Sequence, residues 1–366
     1  MNIFFVVNKG LLLLFILSMM VGAIDYFRGN RWKLGERFIA GFQTFVPLLL
    51  TMAGILALTP LLSRLLAPVI APLYLWIGAD PCMFAGTVLA NDMGAFSLAH
   101  ALCHSPEAGD FSGMLIGSIL GVNIVFTLPA ALKMVEPDDR KYMFRGLLFG
   151  FITLPIGGFF GGIAAGWPAG FLLMQLIPVG MISLASALLL LLIPNRLTAW
   201  LTCFGRVIEV IALTGVVLSI AVELTGIGSF GTLDPIKNGI TVVGSIVIVL
   251  PGAYIFLELL SRMCRPFFKK IGGLLHINEV AILGLFASLA NSIPTFMMIK
   301  KMDPQGKTIN FAFLTAGAFA LGDHLAFCNA VAPKLVGPLL VTKLTAAISA
   351  VGLVLVFELY HKSKRN

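Results

Sequence analysis

Long apolar stretches, broken by short polar or charged clusters, recur from one end of the chain to the other. A helix needs about 20 apolar residues to cross a bilayer, and nine stretches meet that length with few charges. We predict membrane-spanning helices over residues 3–24, 38–61, 111–135, 143–166, 169–193, 201–225, 236–259, 308–331 and 335–357. These segments leave no room for a separate soluble domain.

Two further apolar segments, 80–103 and 279–299, have a different pattern because each carries polar residues and helix breakers in its middle. The first contains Asn91-Asp92 followed by Gly94, and the second contains Asn291-Ser292 followed by Pro294. Both polar pairs come directly after the same Leu-Ala dipeptide. This likeness predicts two equivalent, interrupted helical segments.

The likeness extends beyond these segments and indicates an internal duplication, which is frequent in transporters. The motif Leu-Leu-Ser-Arg at 61–64 recurs at 259–262, and the Leu-Gly pair at 120–121 recurs at 321–322, both in the same order and at nearly the same offset. We therefore predict a first repeat over 1–166, a linking helix within 167–200, and a second repeat over 201–366.

The composition supports a membrane protein and excludes a soluble one. Of 366 residues, 58% are hydrophobic and only 11% are charged, whereas soluble domains have about 25% charged residues. The five cysteines include no C-x-x-C pair, so the sequence predicts no metal site. No nucleotide-binding motif is present either, and we expect no cofactor.

The basic residues indicate how the two interrupted segments sit in the membrane, because Lys and Arg accumulate on the cytoplasmic side. If all eleven segments crossed, the six basic clusters would divide almost evenly between the two sides. If 80–103 and 279–299 are re-entrant hairpins, 19 of the 25 basic residues fall on one side. We predict the second arrangement: about nine transmembrane helices and two re-entrant hairpins in inverted repeats, with a cytoplasmic C-terminus. The net charge of +8 then reports orientation, and we expect no nucleic-acid partner.

Carboxylates within the apolar segments are the candidate functional residues, since ionisable groups are costly inside a membrane. Asp92 lies at the predicted tip of the first hairpin and Asp323, next to His324, lies within 308–331. Two carboxylates at a cavity near the midplane would attract a small cation, and we predict that His324 belongs to the same substrate site. Neutral partners would come from Asn91, Asn123, Asn291 and Ser292. A purely structural role is the alternative, with Asp92 capping a half-helix and Asp323 pairing with His324 or a lysine.

These motifs also carry a family resemblance. The strings Ala-Asp-Pro-Cys-Met-Phe-Ala-Gly-Thr at 79–87, Asp-Met-Gly at 92–94, Glu-Pro-Asp-Asp-Arg at 136–140, Leu-Ala-Asn-Ser-Ile-Pro at 289–294 and Ala-Leu-Gly-Asp-His at 320–324 together resemble the EutH family of ethanolamine permeases. The resemblance implies a multi-pass protein of the bacterial inner membrane that imports ethanolamine and is not an enzyme. It supplies no site residues, so those above depend on the repeats and the buried charge.

The mechanism predicted from these features is alternating access, with one substrate site between the two hairpins at the midplane of the lipid bilayer. A channel-like facilitator for small amines and a membrane enzyme acting on lipid headgroups are the alternatives. A ridge of glycines at 158, 162 and 166 is a surface on which membrane helices pack closely, either within one chain or between two copies. The sequence therefore leaves formation of a homo-oligomer as an alternative.

Overall fold

A computed structural model describes residues 3–226 and 233–363, and 87% of it is helical with no β-strand among the described residues. Short π-helical stretches lie at Leu49–Ala53, Phe111–Gly121 and Asn123–Thr127, and 3-10 turns lie at Asn91–Met93, Pro137–Asp139, Ile299–Lys301 and Pro333–Leu335. The α-helices are α1 (Ile3–Phe27), α2 (Gly35–Gln43), α3 (Phe45–Leu48), α4 (Gly54–Trp76), α5 (Met83–Val88), α6 (Ala95–Leu102), α7 (Pro106–Asp110), α8 (Leu128–Met134), α9 (Arg140–Ala164), α10 (Ala169–Leu192), α11 (Pro194–Thr225), α12 (Ile236–Val247), α13 (Leu250–Leu275), α14 (Glu279–Ala290), α15 (Ser292–Met298), α16 (Pro304–Gly317), α17 (Asp323–Val331) and α18 (Val336–Ser363).

Eight continuous helical segments in the described part of the chain are long and apolar enough to cross a membrane. They are Val6–Phe27, Gly35–Trp76, Pro106–Met134, Pro137–Ala164, Ala169–Leu192, Pro194–Thr225, Ile236–Leu275 and Pro333–Tyr360. The chain is therefore an all-α polytopic membrane protein, as its sequence predicts.

The predicted span 308–331 differs from the other eight because it is not one helix. The α16 helix ends at Gly317 and α17 begins at Asp323, with non-helical backbone between them. Phe319 within this break has a φ of 64°, a left-handed conformation that an α-helix cannot contain. The break places Asp323 at the start of a half-helix rather than in the middle of a continuous one.

The outer surface of the bundle is apolar, as contact with lipid requires. Large side chains on several helices are more than half exposed, including Leu13 on α1 (61%), Val69 on α4 (70%), Leu192 on α10 (75%) and Val217 on α11 (66%). In water such a surface would be unfavourable by the hydrophobic effect. In a bilayer it faces a solvent as apolar as itself.

The two interrupted segments each begin and end at the same end of the bundle. At the base of the first, the carboxylate of Asp80 accepts hydrogen bonds from the backbone N–H of Cys82 and of His104, both at 3.0 Å. At the base of the second, Asn278 donates to the carbonyl of Lys301 (3.0 Å) and to the carboxylate of Asp303 (2.7 Å). Each segment thus folds back on itself, with α5 and α6 forming the first hairpin and α14 and α15 the second.

The tips of both hairpins pack on a glycine in the segment that follows them. A Cβ atom at Gly121 would collide with the carbonyl oxygen of Leu89, and a Cβ atom at Gly322 would collide with that of Ala290. These two glycines occupy matching positions of the predicted repeats. Only a residue without a side chain lets the backbones approach so closely.

Ion pairs bring several of the basic clusters together at one end of the bundle. Arg37 lies 3.3 Å from Glu258, Arg145 lies 3.0 Å from Glu358, and Lys300 lies 2.9 Å from Glu136. The Glu136 carboxylate raises the pKa of Lys300 above its ordinary value. The base of the second hairpin lies at this end, because Asn278 donates to the carbonyl of Lys301, the residue next to Lys300.

The predicted division into two repeats and a linking helix stays a prediction, although the helix order is compatible with it. The α10 helix follows α9 of the first half, and α11 begins at Pro194, inside the predicted linker 167–200. The first helix of the second half is therefore longer than predicted.

Candidate functional site

A cavity of about 230 Å³ lies between the tips of the two hairpins. It contains four of the predicted residues, Asp92, Asn291, Asp323 and His324, together with the aromatic rings of Phe126 and Phe319. Its remaining wall comes from Thr44, Pro47, Leu48, Thr51, Met93, Val122 and Ile293. Both halves of the chain therefore contribute to one small cavity that contains two carboxylates.

Local backbone geometry places Asp92 at this cavity. The residue lies in the 3-10 turn Asn91–Met93, between α5 and α6, and is 8% exposed. The next residue, Gly94, has a φ of 97° and abuts Ile55, so that a side chain there would collide. Gly94 is also the N-cap of α6. The structural alternative, in which Asp92 caps that half-helix, is therefore wrong.

Asp323 reaches the cavity from the opposite half of the molecule. It is the first residue of α17, where the unpaired N–H groups of a helix start favour negative charge. The hydroxyl of Tyr254 on α13 donates a hydrogen bond to its Oδ1 at 3.1 Å. Within the described part of the chain no basic side chain forms an ion pair with Asp323, so the alternative pairing with His324 or a lysine is not what the structure has.

His324 connects Asp92 to a residue that the sequence reasoning missed. Its Nε2 lies 3.8 Å from Oδ1 of Asp92, and its Nδ1 lies 3.1 Å from the Nζ of Lys343. Lys343 is fully buried in α18 and also donates to the carbonyl oxygen of Ser118 at 2.7 Å. The sequence shows it only as a single lysine inside an apolar span. A count of basic clusters does not include such a residue.

Three of the predicted residues do not line this cavity. Asn123 donates to the carbonyl oxygens of Ile119 and Thr315, both at 2.6 Å, and so joins the segment after the first hairpin to α16. Asn91 points its amide towards the sulfur of Met114 at 3.6 Å. The hydroxyl of Ser292 is buried and has no hydrogen-bond partner among the described residues.

A larger cavity of about 490 Å³ adjoins the first one. Asn291 and Ile293 line both cavities, while Arg37 and Glu258 line the larger one where it meets the basic end of the bundle. Tyr254 also lines the larger cavity, and its hydroxyl donates a hydrogen bond to Asp323 of the smaller one. Tyr254 and Asn291 therefore stand between the two spaces.

The smaller cavity has the chemistry of a site for one small organic cation. Two carboxylates offset the positive charge, aromatic rings attract a cation at close range, and the Asn291 amide offers a neutral hydrogen-bond partner. Within residues 3–226 and 233–363, no cluster of three His, Cys, Asp or Glu side chains could hold a metal ion. The two carboxylates, the aromatic rings and the amide suit an ammonium group.

Comparisons with known proteins find relatives that match nearly the whole chain. The sequence model of a family described as "Ethanolamine utilisation protein, EutH" matches residues 7–357. The chain is 41% identical to a probable ethanolamine permease of Listeria monocytogenes (94% of this chain, 92% of the relative) and 37% identical to one of Salmonella typhimurium (94% of each). A Bacillus subtilis protein described as uncharacterized, YxeR, is 37% identical over 94% of this chain and 93% of its own length. No solved structure matches the chain.

Proposed function

The chain belongs to the EutH family, a family of membrane permeases rather than enzymes, and we propose that it imports ethanolamine into the bacterial cytoplasm. The observation that carries this proposal is the cavity between the hairpin tips, which presents the carboxylates of Asp92 and Asp323.

The charge and size of ethanolamine fit this cavity. A primary amine is protonated near neutral pH, and moving its ammonium group out of water requires a carboxylate partner. Asp92 or Asp323 would pair with the ammonium group, and Asn291 would hydrogen-bond the hydroxyl. The smaller cavity is of suitable volume for one small amino alcohol, and Phe126 and Phe319 would pack against its carbons.

Alternating access is the mechanism that the arrangement of the hairpins favours. The base of the second hairpin lies at the basic end of the bundle, near Lys300 and Lys301, whereas the base of the first lies near Lys334, which pairs with Asp110 at 2.7 Å. Two hairpins with bases at different ends and tips at one cavity support inverted repeats around a central substrate site.

The same contacts support one orientation in the membrane. The basic end would face the cytoplasm, which gives nine crossings if α16 and α17 together count as one, and a cytoplasmic C-terminus. The larger cavity at that end would then be the inner vestibule. The hydrogen bond between Tyr254 and Asp323 would have to break for substrate to pass from the site into the vestibule.

The direct test is uptake of labelled ethanolamine by the purified protein in liposomes. We expect saturable uptake and counterflow, and we expect Asp92→Asn and Asp323→Asn each to lower it about 100-fold, since a buried unpaired charge costs several kcal/mol. Asp138→Asn, which removes an exposed carboxylate at the basic end, is the matched control. Normal uptake by both site variants would refute the site, and uptake without saturation or counterflow would indicate a channel.

A further inference from the structure

Lys343 is the one fully buried lysine of the described chain, and it lies next to the proposed substrate site without lining it. A buried ammonium group needs charge compensation, yet the atoms in contact with its Nζ belong to neutral groups, the Ser118 carbonyl and the His324 ring. The charge that compensates Lys343 must therefore lie beyond the first contacts.

The His324 ring lies between Lys343 and Asp92. An ammonium group can only donate hydrogen bonds, so the Nδ1 atom of His324 must accept the bond from Lys343. The ring is then neutral and its proton lies on Nε2, the atom that faces Oδ1 of Asp92 at 3.8 Å. Lys343, His324 and Asp92 thus form a row in which a cation and a carboxylate face each other through one imidazole.

The two carboxylates of the cavity consequently differ. Asp92 faces the same His324 ring that Lys343 contacts, whereas Asp323 accepts a hydrogen bond from the neutral hydroxyl of Tyr254. Among the described residues, no basic side chain forms an ion pair with Asp323.

We propose that Lys343 is a built-in cation that neutralises Asp92 through His324, so that Asp323 pairs with the substrate ammonium and no co-transported metal ion is needed. With Asp92 and Asp323 ionised and Lys343 protonated, the cavity and the lysine behind it carry one net negative charge. One ethanolammonium ion neutralises that charge. This inference rests on the proposed function and adds the charge stoichiometry of the same site.

Substitution of Lys343 tests the proposal, because it should create a need for a second cation. The wild-type protein in liposomes should take up ethanolamine equally with sodium and with N-methylglucamine as the bulk cation. Lys343→Met should lower uptake roughly tenfold or more in N-methylglucamine at about pH 8. Sodium, or a shift to about pH 5, should restore part of that uptake by neutralising Asp92.

The double variant Asp92→Asn/Lys343→Met distinguishes charge balance from loss of folding. It removes both charged ends of the row, so uptake should recover without added sodium or acid, since removing a whole buried pair is tolerated better than removing half of it. Besides Asp92, the ionisable groups around this row are His324, Asp323 and Tyr254, and the double variant leaves them in place. Lys334→Met, at an exposed lysine (73% of its side chain), is the matched control for loss of a positive charge.

The outcomes separate this inference from the proposed function. If the wild-type protein shows no ethanolamine uptake, the proposed function fails. If the wild-type protein is active but requires sodium, or if Lys343→Met works equally well in every bulk cation, the built-in cation is refuted. The same holds if the double variant reaches the membrane and stays as inactive as the single one.

Discussion

The two hairpins share a backbone design but differ in chemistry. Each returns to the end at which it began, and each packs its tip on a matching glycine, Gly121 or Gly322. The first tip carries Asp92, while the equivalent position of the second is Ser292, which is buried and does not line the cavity. A duplicated scaffold can thus keep its close backbone contacts while its polar residues diverge.

The segments that follow the two hairpins differ in their backbone. Residues 106–134 run as one helical segment with π-helical stretches, and Val122 and Asn123 occupy the positions that match Asp323 and His324. Residues 304–331 are broken at 318–322, and the break exposes Asp323 to the cavity. Each half therefore supplies one carboxylate from a different structural element.

Among the variants that test this comparison, exchange of the two hairpin-tip residues should have the largest effect on transport. We expect Asp92→Ser with Ser292→Asp to lower ethanolamine uptake about 100-fold, because the new carboxylate would be buried away from the cavity and Lys343 would lose its partner. Uptake in liposomes measures this, with membrane insertion checked by size-exclusion chromatography. Near-normal uptake would mean that the two tips are equivalent in function as well as in backbone.

Alanine at the two tip-contact glycines should disturb both hairpins to a similar extent. Gly121→Ala and Gly322→Ala should each destabilise the protein by about 1–3 kcal/mol, because the added Cβ meets a backbone carbonyl that has no alternative position. Thermal unfolding in detergent gives the measurement. Gly180→Ala on α10, where nothing lies within 4 Å of the new atom, is the control and should leave the unfolding temperature unchanged or slightly raised.

The pH of the medium should show whether the carboxylates of the two halves act on a charged substrate. Neutral ethanolamine crosses lipid unaided, and its share falls about tenfold for each pH unit below the amine pKa. Growth on limiting ethanolamine should therefore depend on this protein most strongly in acidic medium, as measured with a deletion strain and its complemented control. Equal dependence in acidic and alkaline medium would contradict the proposal.

The smallest difference in stability is expected between two ion pairs that join the two halves of the chain at opposite ends of the bundle. Lys307 pairs with Asp139 with both side chains largely buried (12% and 9% exposed), while Lys334, which pairs with Asp110, is 73% exposed. We expect Lys307→Met to lower the free energy of unfolding by about 1–3 kcal/mol and Lys334→Met by about 1 kcal/mol or less. Equal losses of unfolding free energy, measured by thermal unfolding, would show that burial does not make one ion pair more stabilising than the other.

Much of the architecture was predictable because its signals are local. Apolar length identifies the spans, and the interrupted segments are visible as polar residues and helix breakers within apolar runs. Asp92 and Asp323 stood out for the same reason, since few carboxylates occur in such segments. The break between α16 and α17 was missed because its residues, Ala318 to Leu321, are as apolar as the helices around them.

The sequence by itself determined that this is a helical membrane protein with two interrupted segments and two buried carboxylates, because hydrophobicity acts residue by residue along the chain. Only the tertiary structure decided which polar groups meet. It brought Tyr254 and Lys343 to the site from distant parts of the chain, and it placed the amides of Asn91 and Asn123 in polar contacts elsewhere. The direction of a side chain depends on how distant helices cross, and hydropathy carries no information about that crossing.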